Sequence, residues 1–224
     1  MPPKFAIAAA SPEPLVLDRV TKRYGRGAPV LDGLSATFES GTATGLVGPN
    51  GSGKTTLLRL LTALSYPTDG TVRYGSLDVH AHPHQYLQHV GVVHDRTGLP
   101  EYLSAVEVLA WVLRARDRWD DGAEERIGAL LDAVRLDERR HNLVGTYSSG
   151  MRRKTQWAAA LVAAPAVLLM DEPFRGLDSE SAAAALDLLR AFKAAGGIIV
   201  VSSHLHDALD EVVDRTLDLG KDEG

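Results

Sequence analysis

The residues with the clearest chemistry form one short run, Gly48–Thr55, which reads G-P-N-G-S-G-K-T. This run matches the phosphate-loop pattern GxxxxGK(S/T) at every fixed position. An apolar stretch typical of a strand, Ala43–Val47, precedes it, and a stretch with helical spacing, Thr56–Leu64, follows it. The glycines allow successive backbone N–H groups to point at one anion, with no side chain in the way. The order of strand, glycine loop and helix predicts a phosphate cradle rather than a plain glycine-rich turn.

The last two residues of this loop complete its chemistry. Lys54 has the length and charge to reach the β- and γ-phosphates of a nucleotide, and Thr55 offers a hydroxyl to Mg²⁺. The sequence therefore predicts a site for a nucleoside triphosphate with Mg²⁺.

Acidic residues follow a second apolar run. Val167–Met170 is typical of a buried parallel strand, and Asp171 and Glu172 come directly after it, at the edge of the sheet where ligands bind. Because successive strand residues point to opposite sides, the two carboxylates need not share one task. We expect Asp171 to hold Mg²⁺ and Glu172 to act on the attacking water; the alternative is a solvated acidic turn. The run Ile198–Ser203 likewise ends in His204, which is placed to contact the γ-phosphate.

Hydrophobic periodicity predicts the elements that position these residues. A block of helical periodicity, Leu103–Arg140, interrupts an alternation of strands and helices, and a turn is expected at Pro67–Gly70. The expected strands are Leu15–Val20, Ala36–Phe38, Ala43–Val47, Thr71–Tyr74, Val90–Val93, Val167–Met170 and Ile198–Ser202, and the expected helices outside the block are Thr56–Leu64, Gln156–Ala164 and Ser179–Ala195.

A further motif, Tyr147–Met151, reads Y-S-S-G-M and precedes a basic stretch. Here the sequence resembles the nucleotide-binding subunit of ABC transporters, whose signature is LSGGQ. The resemblance extends from about Leu15 to Gly220, with the motifs in the order of that family. It implies that Gly176–Asp178 is the D-loop, that His204 is the switch histidine and that Tyr24 stacks on adenine; the alternative for Tyr24 is a half-buried tyrosine at a strand edge.

The resemblance, with the chemistry above, implies a full set of site residues. We expect Glu172, His204 and Lys54 to be catalytic. The expected metal ligands are Thr55, Asp171 and Asp95. The expected nucleotide-binding residues are Tyr24, Gly48, Pro49, Asn50, Gly51, Ser52, Gly53, Lys54, Thr55, Thr56, Ser148, Ser149, Gly150 and Asp178.

The fold that the resemblance implies is α/β: a three-layer P-loop NTPase core around a mostly parallel sheet, with an N-terminal antiparallel β portion and an inserted α-helical subdomain. We expect residues 1–14 to be a flexible tail and residues 15–220 to form a single ABC-type ATPase domain. Within it, residues 15–94 and 151–220 would form the α/β core, and residues 95–150 the helical subdomain, with the signature at its end.

The same resemblance implies ATP and Mg²⁺ as cofactors and two kinds of protein partner. In the family, the signature of one ATPase subunit closes on the γ-phosphate held by a second, homologous or identical, subunit. Integral membrane permease subunits would complete a transporter, because no apolar run here is long enough to span a bilayer. The chain would then lie in the cytoplasm, peripheral on the inner face of the cell membrane. The net charge of −5 argues against nucleic acid as a partner.

Three positions depart from the family pattern. Asp95 stands where the Q-loop glutamine is normal, and an ionised carboxylate only accepts hydrogen bonds whereas glutamine also donates. Ser149 replaces the first glycine of the signature and Met151 its glutamine. A methionine there is familiar among exporters, which favours export as the direction of transport.

Other functions remain open at this stage. A soluble ABC-type ATPase acting on ribosomes or DNA would usually carry two cassettes or basic extensions, which this chain does not have. A haem or cytochrome-biogenesis export ATPase is a further alternative. A small P-loop kinase would leave the motif Ser148–Gly150 unexplained.

Two groups of side chains outside these motifs allow a functional and a plain interpretation. Four histidines, at positions 80, 82, 84 and 89, are expected to lie in a solvated surface loop rather than in a metal site. Trp111 and Trp119 are expected to pack in the helical block or at its edge; the sharper hypothesis is an exposed apolar groove that receives a helix of the membrane subunit.

Overall fold

A computed structural model describes residues 7–8, 12–94, 98–202, 209 and 211–220 of the chain. Among these residues, no helix is both long enough and apolar enough to cross a membrane. The strands are β1 Leu15–Lys22, β2 Leu31–Phe38, β3 Ala43–Val47, β4 Asp69–Tyr74, β5 Leu77–Asp78, β6 Val90–Val93, β7 Val167–Asp171, β8 Ile198–Ser202 and β9 Arg215–Asp218. The helices are α1 Lys54–Leu61, α2 Pro83–Leu87, α3 Ala105–Ala115, α4 Ala123–Ala133, α5 Ser149–Leu161 and α6 Ser179–Ala194, with 3-10 turns at Asp137–Arg139 and Val144–Thr146.

The central sheet has five parallel strands in the order β6-β7-β8-β3-β9. Alternate residues of β7 belong to two different hydrophobic clusters: Val167 and Leu169 to one, Leu168 and Met170 to the other. Burial on both faces explains why this strand is a continuous apolar run rather than an alternating one. The sheet is therefore the middle layer of three, as the sequence predicts.

The N-terminal strands form a separate antiparallel sheet in the order β2-β1-β4-β5. Leu15, Leu17 and Val20 of β1 are buried in the cluster that also contains α1. The expected turn at Pro67–Gly70 is only partly correct, because Asp69 and Gly70 already belong to β4. Gly70 has φ +79°, and a Cβ there would lie 2.3 Å from the carbonyl oxygen of Arg19, so the turn-like residue marks a bulge between β1 and β4.

The helical block lies between β6 and β7 in the chain. Ser104 begins α3 with a capping box: its Oγ accepts from the N–H of Glu107, whose carboxylate accepts from the N–H of Ser104. The apolar faces of α3 and α4 join one cluster with α5 and α6. The block is thus attached to the core through the helix that follows the signature motif.

Several element boundaries differ from the sequence expectation. Helix α1 ends at Leu61 rather than Leu64, and Ala63 adopts φ +54°, which a continuing helix does not allow. Helix α5 begins at Ser149 rather than Gln156, because Ser148 caps it and the basic stretch after the signature forms its first turns. The expected surface loop of histidines is wrong at His84, which lies in α2. No cluster of three metal-ligating side chains occurs in the described part of the chain.

Within the segment that was expected to be a tail, two residues have a defined place. Ile7 and Ala8 are buried in the cluster that contains α6. Pro12 lies against Gly196, near the start of β8. These residues pack on the core.

Candidate nucleotide site

The loop between β3 and α1 has the backbone of a phosphate cradle. Gly48, Gly51 and Gly53 adopt φ of +139°, +87° and +102°, conformations that glycine reaches without strain. A Cβ on Gly48 would lie 2.6 Å from the Oγ of Ser52, so the loop folds tightly on itself. The ammonium of Lys54 donates to the carbonyl oxygens of Gly48, at 2.6 Å, and Pro49, at 3.1 Å. The loop and its lysine therefore form one hydrogen-bonded unit.

A cleft of about 520 Å³ opens at this loop. It brings the loop and the first turns of α1 together with the residues that end β6 and β7. The described residues that line it are Val30, Asn50, Gly51, Gly53, Lys54, Thr55, Thr56, Arg59, His94, Asp171 and Glu172. The phosphate loop and the acidic pair, which lie more than a hundred positions apart in the sequence, thus line the same cleft.

Asp171 lines the cleft, and both of its carboxylate oxygens contact neighbouring side chains. The hydroxyl of Ser202 donates to Oδ1. The hydroxyl of Thr55 lies 3.5 Å from Oδ2, and the Nε2 of His94 lies 3.4 Å from the same atom. Thr55 and Asp171 therefore present two hard oxygen donors side by side, a set that fits Mg²⁺.

Glu172 has an unusual backbone. Its φ is +48°, in the left-handed region that residues other than glycine, asparagine and aspartate rarely adopt. Its N–H donates to the carbonyl oxygen of Ser202 at 3.0 Å, which holds this conformation at the edge of the sheet. The chain turns sharply here, so Glu172 lines the same cleft as Asp171 instead of pointing to the opposite face.

Tyr24 lies at the rim, beside the first turns of α1. Burial acts to raise the pKa of its hydroxyl, but hydrogen bonds with Thr56, Ser65 and Arg59 and the charge of Lys22 act in the other direction, and the pKa lies below its ordinary value. The Lys22 ammonium is 4.9 Å from the ring centroid. The ring is 49% exposed, which leaves apolar surface near the cleft.

The signature residues lie outside this cleft. Ser148 caps α5, since its Oγ accepts from the N–H of Met151 at 3.2 Å, and Ser149 and Gly150 form the first turn of the helix. A Cβ on Gly150 would lie 2.7 Å from the carbonyl oxygen of Gly176, so this helix start is in close contact with the loop after β7. Neither Ser148, Ser149 nor Gly150 is among the described residues that line the cleft.

Asp178 ends that loop as the cap of α6. Its Oδ1 accepts from the N–H of Ser181 at 2.7 Å, and this hydrogen bond lowers the pKa of the carboxyl by stabilising its ionised form. Asp178 is also absent from the described lining of the cleft. Two expected site residues, Asp95 and His204, lie outside the residues that the structure describes.

Comparison with known proteins decides the family. A family model described as ABC transporter matches residues 31–175, which is more than half of the chain. The chain belongs to the ABC transporter family.

Two relatives within this family have names that concern export or resistance. The Daunorubicin/doxorubicin resistance ATP-binding protein DrrA of Streptomyces peucetius is 34% identical over 189 residues, covering 84% of this chain and 57% of the relative. Nod factor export ATP-binding protein I of Burkholderia orbicola (strain AU 1054) is 34% identical over 202 residues, covering 90% of this chain and 66% of the relative. The chain thus spans less than two thirds of the length of either one.

Solved structures of the family have the same architecture. The structure of an ATP-binding subunit of an ABC transporter superposes with a TM-score of 0.84 at 25% identity, covering 92% of this chain and 85% of the other. A nucleotide-free ATP-binding cassette from an ABC transporter gives a TM-score of 0.77 at 23% identity, covering 93% and 88% of the two chains, and shows the fold alone. The α/β P-loop fold expected from the sequence is confirmed.

The sequence did not single out two side chains that line this cleft, Arg59 and His94, or the buried Ser202 that donates to Asp171. His94 and Ser202 had a usable signal, because each ends a strand parallel to β7, the rule that singled out Asp171. Arg59 had none, since its position depends on how α1 packs in the folded chain.

Proposed function

We propose that the chain binds ATP with Mg²⁺ and hydrolyses it to power an ABC transporter. The observation that carries the proposal is the single cleft at which Lys54, Thr55, Asp171 and Glu172 meet. Each of these residue types has a task in phosphoryl transfer, and their sequence positions give no other reason for them to share a site.

The tasks divide by residue. Lys54 and the N–H groups of Gly51–Thr55 neutralise the charge of the phosphates. Thr55 and Asp171 would hold Mg²⁺, which when bound supplies positive charge to the phosphate oxygens. Glu172 orients the attacking water and accepts its proton. Tyr24 supports the base of the nucleotide through its exposed ring.

The remaining expected residues are proposed to act either on the nucleotide of a second ATPase subunit or at the ends of strands in their own chain. Ser148, Ser149 and Gly150 stand at a helix N-terminus, which favours anions, yet they lie away from the cleft of their own chain. In a head-to-tail dimer these three residues, with Asp178 of the same chain, would contact the γ-phosphate held by the other copy. His204 and Asp95 keep their proposed roles, as γ-phosphate contact and as metal ligand.

Integral membrane subunits are the proposed partners, with the chain peripheral on the inner face of the cell membrane. The named relatives act in drug resistance and in Nod factor export, and this supports export as the direction. The docking surface that we propose is the apolar groove beside Trp111, which is 59% exposed on α3.

The variant Glu172→Gln tests the enzymatic part of the proposal. Removing the general base should lower ATP turnover by roughly 100-fold or more, because positioned proton transfer contributes about 10²–10⁴-fold. ATP affinity should be kept, and the ATP-dependent dimer should become more stable, because hydrolysis no longer reopens it. Steady-state turnover and light scattering with ATP measure both effects.

Glu125→Gln on the exposed face of α4 is a matched control, since it makes the same chemical change at a residue outside the described lining of the cleft. Full turnover in Glu172→Gln would refute the role of Glu172. A wild-type chain that hydrolyses ATP at full rate as a strict monomer would refute the shared active site.

A further inference from the structure

Asp171 is the middle residue of a row that crosses three parallel strands. In the pairing of β6 with β7, Val93 is opposite Met170, so His94 follows in register beside Asp171. In the pairing of β7 with β8, Asp171 is opposite Ser202. Residues in register on neighbouring strands point to the same face of a sheet. The backbone therefore places His94 and Ser202 on either side of the carboxylate.

The contacts of this row hold the two oxygens of Asp171 separately. Ser202 donates its hydroxyl proton to Oδ1, and the Nε2 of His94 lies 3.4 Å from Oδ2. Both the His94 and Asp171 side chains are only 15% exposed, so water competes little for these contacts. The second oxygen is also the one that Thr55 approaches, at 3.5 Å.

We propose that His94 is a positioning residue for the metal ligand Asp171, and that with Ser202 it fixes the plane of the carboxylate so that Oδ2 faces Thr55. This inference rests on the proposed function, because it concerns the site where Mg²⁺ would bind with the nucleotide. It adds to the proposed site a side chain, that of His94, which belongs to neither the phosphate loop nor the acidic pair.

Orientation matters here because the plane of an aspartate carboxylate is fixed best when both oxygens are held. The terminal torsion of aspartate has a broad, roughly two-fold distribution. Side chains that hydrogen-bond a metal ligand remove this freedom, and their loss typically lowers metal affinity by about 10–100-fold. Ser202 holds Oδ1, whereas Thr55 contacts Oδ2 only at 3.5 Å. His94 supplies a second contact to Oδ2.

The test compares how strongly Mg²⁺ promotes nucleotide binding in wild type, His94→Ala and His94→Gln. The affinity for a non-hydrolysable ATP analogue is measured with Mg²⁺ and with EDTA, and their ratio is the readout. We expect His94→Ala to lower this ratio by about 10-fold with its EDTA affinity unchanged. His94→Gln should recover most of the ratio, because the Gln amide donates from nearly the same place as Nε2.

His84→Ala, which removes an exposed histidine on α2, is the matched control and should keep the wild-type ratio. Thermal unfolding of each variant shows whether the fold is kept. His94→Gln nearly keeps the side-chain volume, so it tests the role of His94 even where His94→Ala unfolds. A ratio near wild type in His94→Gln supports a hydrogen bond from this position to Asp171.

An unchanged or raised ratio in a folded His94→Ala would overturn the inference, since His94 would then be neutral toward the metal or in competition with it. A His94→Gln ratio as low as that of His94→Ala would overturn it as well. A wild-type chain that bound no analogue under either condition would instead refute the proposed function.

Discussion

Glu172 shows how a single residue is adapted to the site at the expense of local stability. A left-handed backbone in a glutamate costs on the order of 1 kcal/mol and persists only where the surrounding structure holds it. The N–H of Glu172 recovers part of that cost through its hydrogen bond to Ser202. The strand-alternation rule in the sequence analysis separates Asp171 from Glu172, but the turn returns both to one cleft.

Tyr24 allows a prediction at the residue scale. Tyr24→Ala should weaken ATP binding by about 3- to 10-fold, the value of an aromatic stacking contact, because the exposed ring is lost. Tyr24→Phe should bind ATP nearly as well as wild type, because stacking does not need the hydroxyl. Isothermal titration with ATP and with inorganic triphosphate measures the effect.

Inorganic triphosphate is the internal control, because it has no base to stack. Equal weakening of ATP and of triphosphate binding in Tyr24→Ala would mean that the ring only supports the strand edge.

At the residue scale, the sequence predicts the residues of the cleft that carry a motif and misses those that only geometry selects. Lys54, Thr55 and Asp171 follow from the glycine loop and from the end of an apolar strand. His94 directly follows β6, which is the same positional signal, but this histidine belongs to no recognised motif and was passed over. Arg59 enters the cleft only through the packing of α1.

At the element scale, the start of α5 depends on a glycine for reasons of space. Gly150 is helical, so its backbone angles would suit alanine, but a Cβ would lie 2.7 Å from the Gly176 carbonyl oxygen. The two segments that it joins carry Ser148 and Asp178. The start of α5 and the loop before α6 can therefore pack this closely only because residue 150 has no side chain.

Gly150→Ala should destabilise the protein by about 1–3 kcal/mol, the usual cost of overpacking, and should also lower turnover. Gly128→Ala is the matched control within α4: its Cβ would have only the flexible Arg140 guanidinium at 3.5 Å, so it should stabilise the protein by about 0.5–1 kcal/mol. Urea unfolding measures both free energies. A Gly150→Ala variant as stable as Gly128→Ala would contradict the steric argument.

Elements with an apolar run or helical periodicity were predicted from the sequence, and elements defined by pairing alone were not. Strand β8 has five buried residues and was placed correctly at Ile198–Ser202. Strand β9 has no buried residue and exists only through its pairing with β3. Helix α2 spans five residues with Pro83 at its start, too short for periodicity to show.

At the scale of the whole molecule, α3 presents an aromatic side chain to the outside. Trp111 borders a groove of about 320 Å³ toward α5 and another of about 710 Å³ toward α4. An exposed apolar patch on a helical block is typical of a protein interface. Trp111 and Trp119 were expected to pack in the block or at its edge, with an exposed groove as the sharper hypothesis; they are 59% and 38% exposed, which excludes full packing inside the block.

Trp111→Ala should reduce co-purification of integral membrane protein with the chain from native membranes, while ATP binding stays intact. A loss of 2 kcal/mol or more, or roughly 30-fold in affinity, is typical when a central aromatic anchor is removed. Tyr102→Ala is the control, because Tyr102 is a 78% exposed aromatic residue just before the same block and is absent from the described lining of both grooves. Unchanged recovery of the membrane protein from Trp111→Ala would exclude this surface as the docking site.

The order of the central sheet could not be read from the sequence, because apolar runs show that strands are parallel and buried but not which ones are neighbours. This order has a consequence for how the protein forms. His94, Asp171 and Ser202 come from strands that the helical block and α6 separate in the chain. Contacts between distant segments close large loops and tend to form slowly. A nascent polypeptide that has not yet emerged through β8 cannot assemble the row, so the proposed metal site can form only late in biosynthesis.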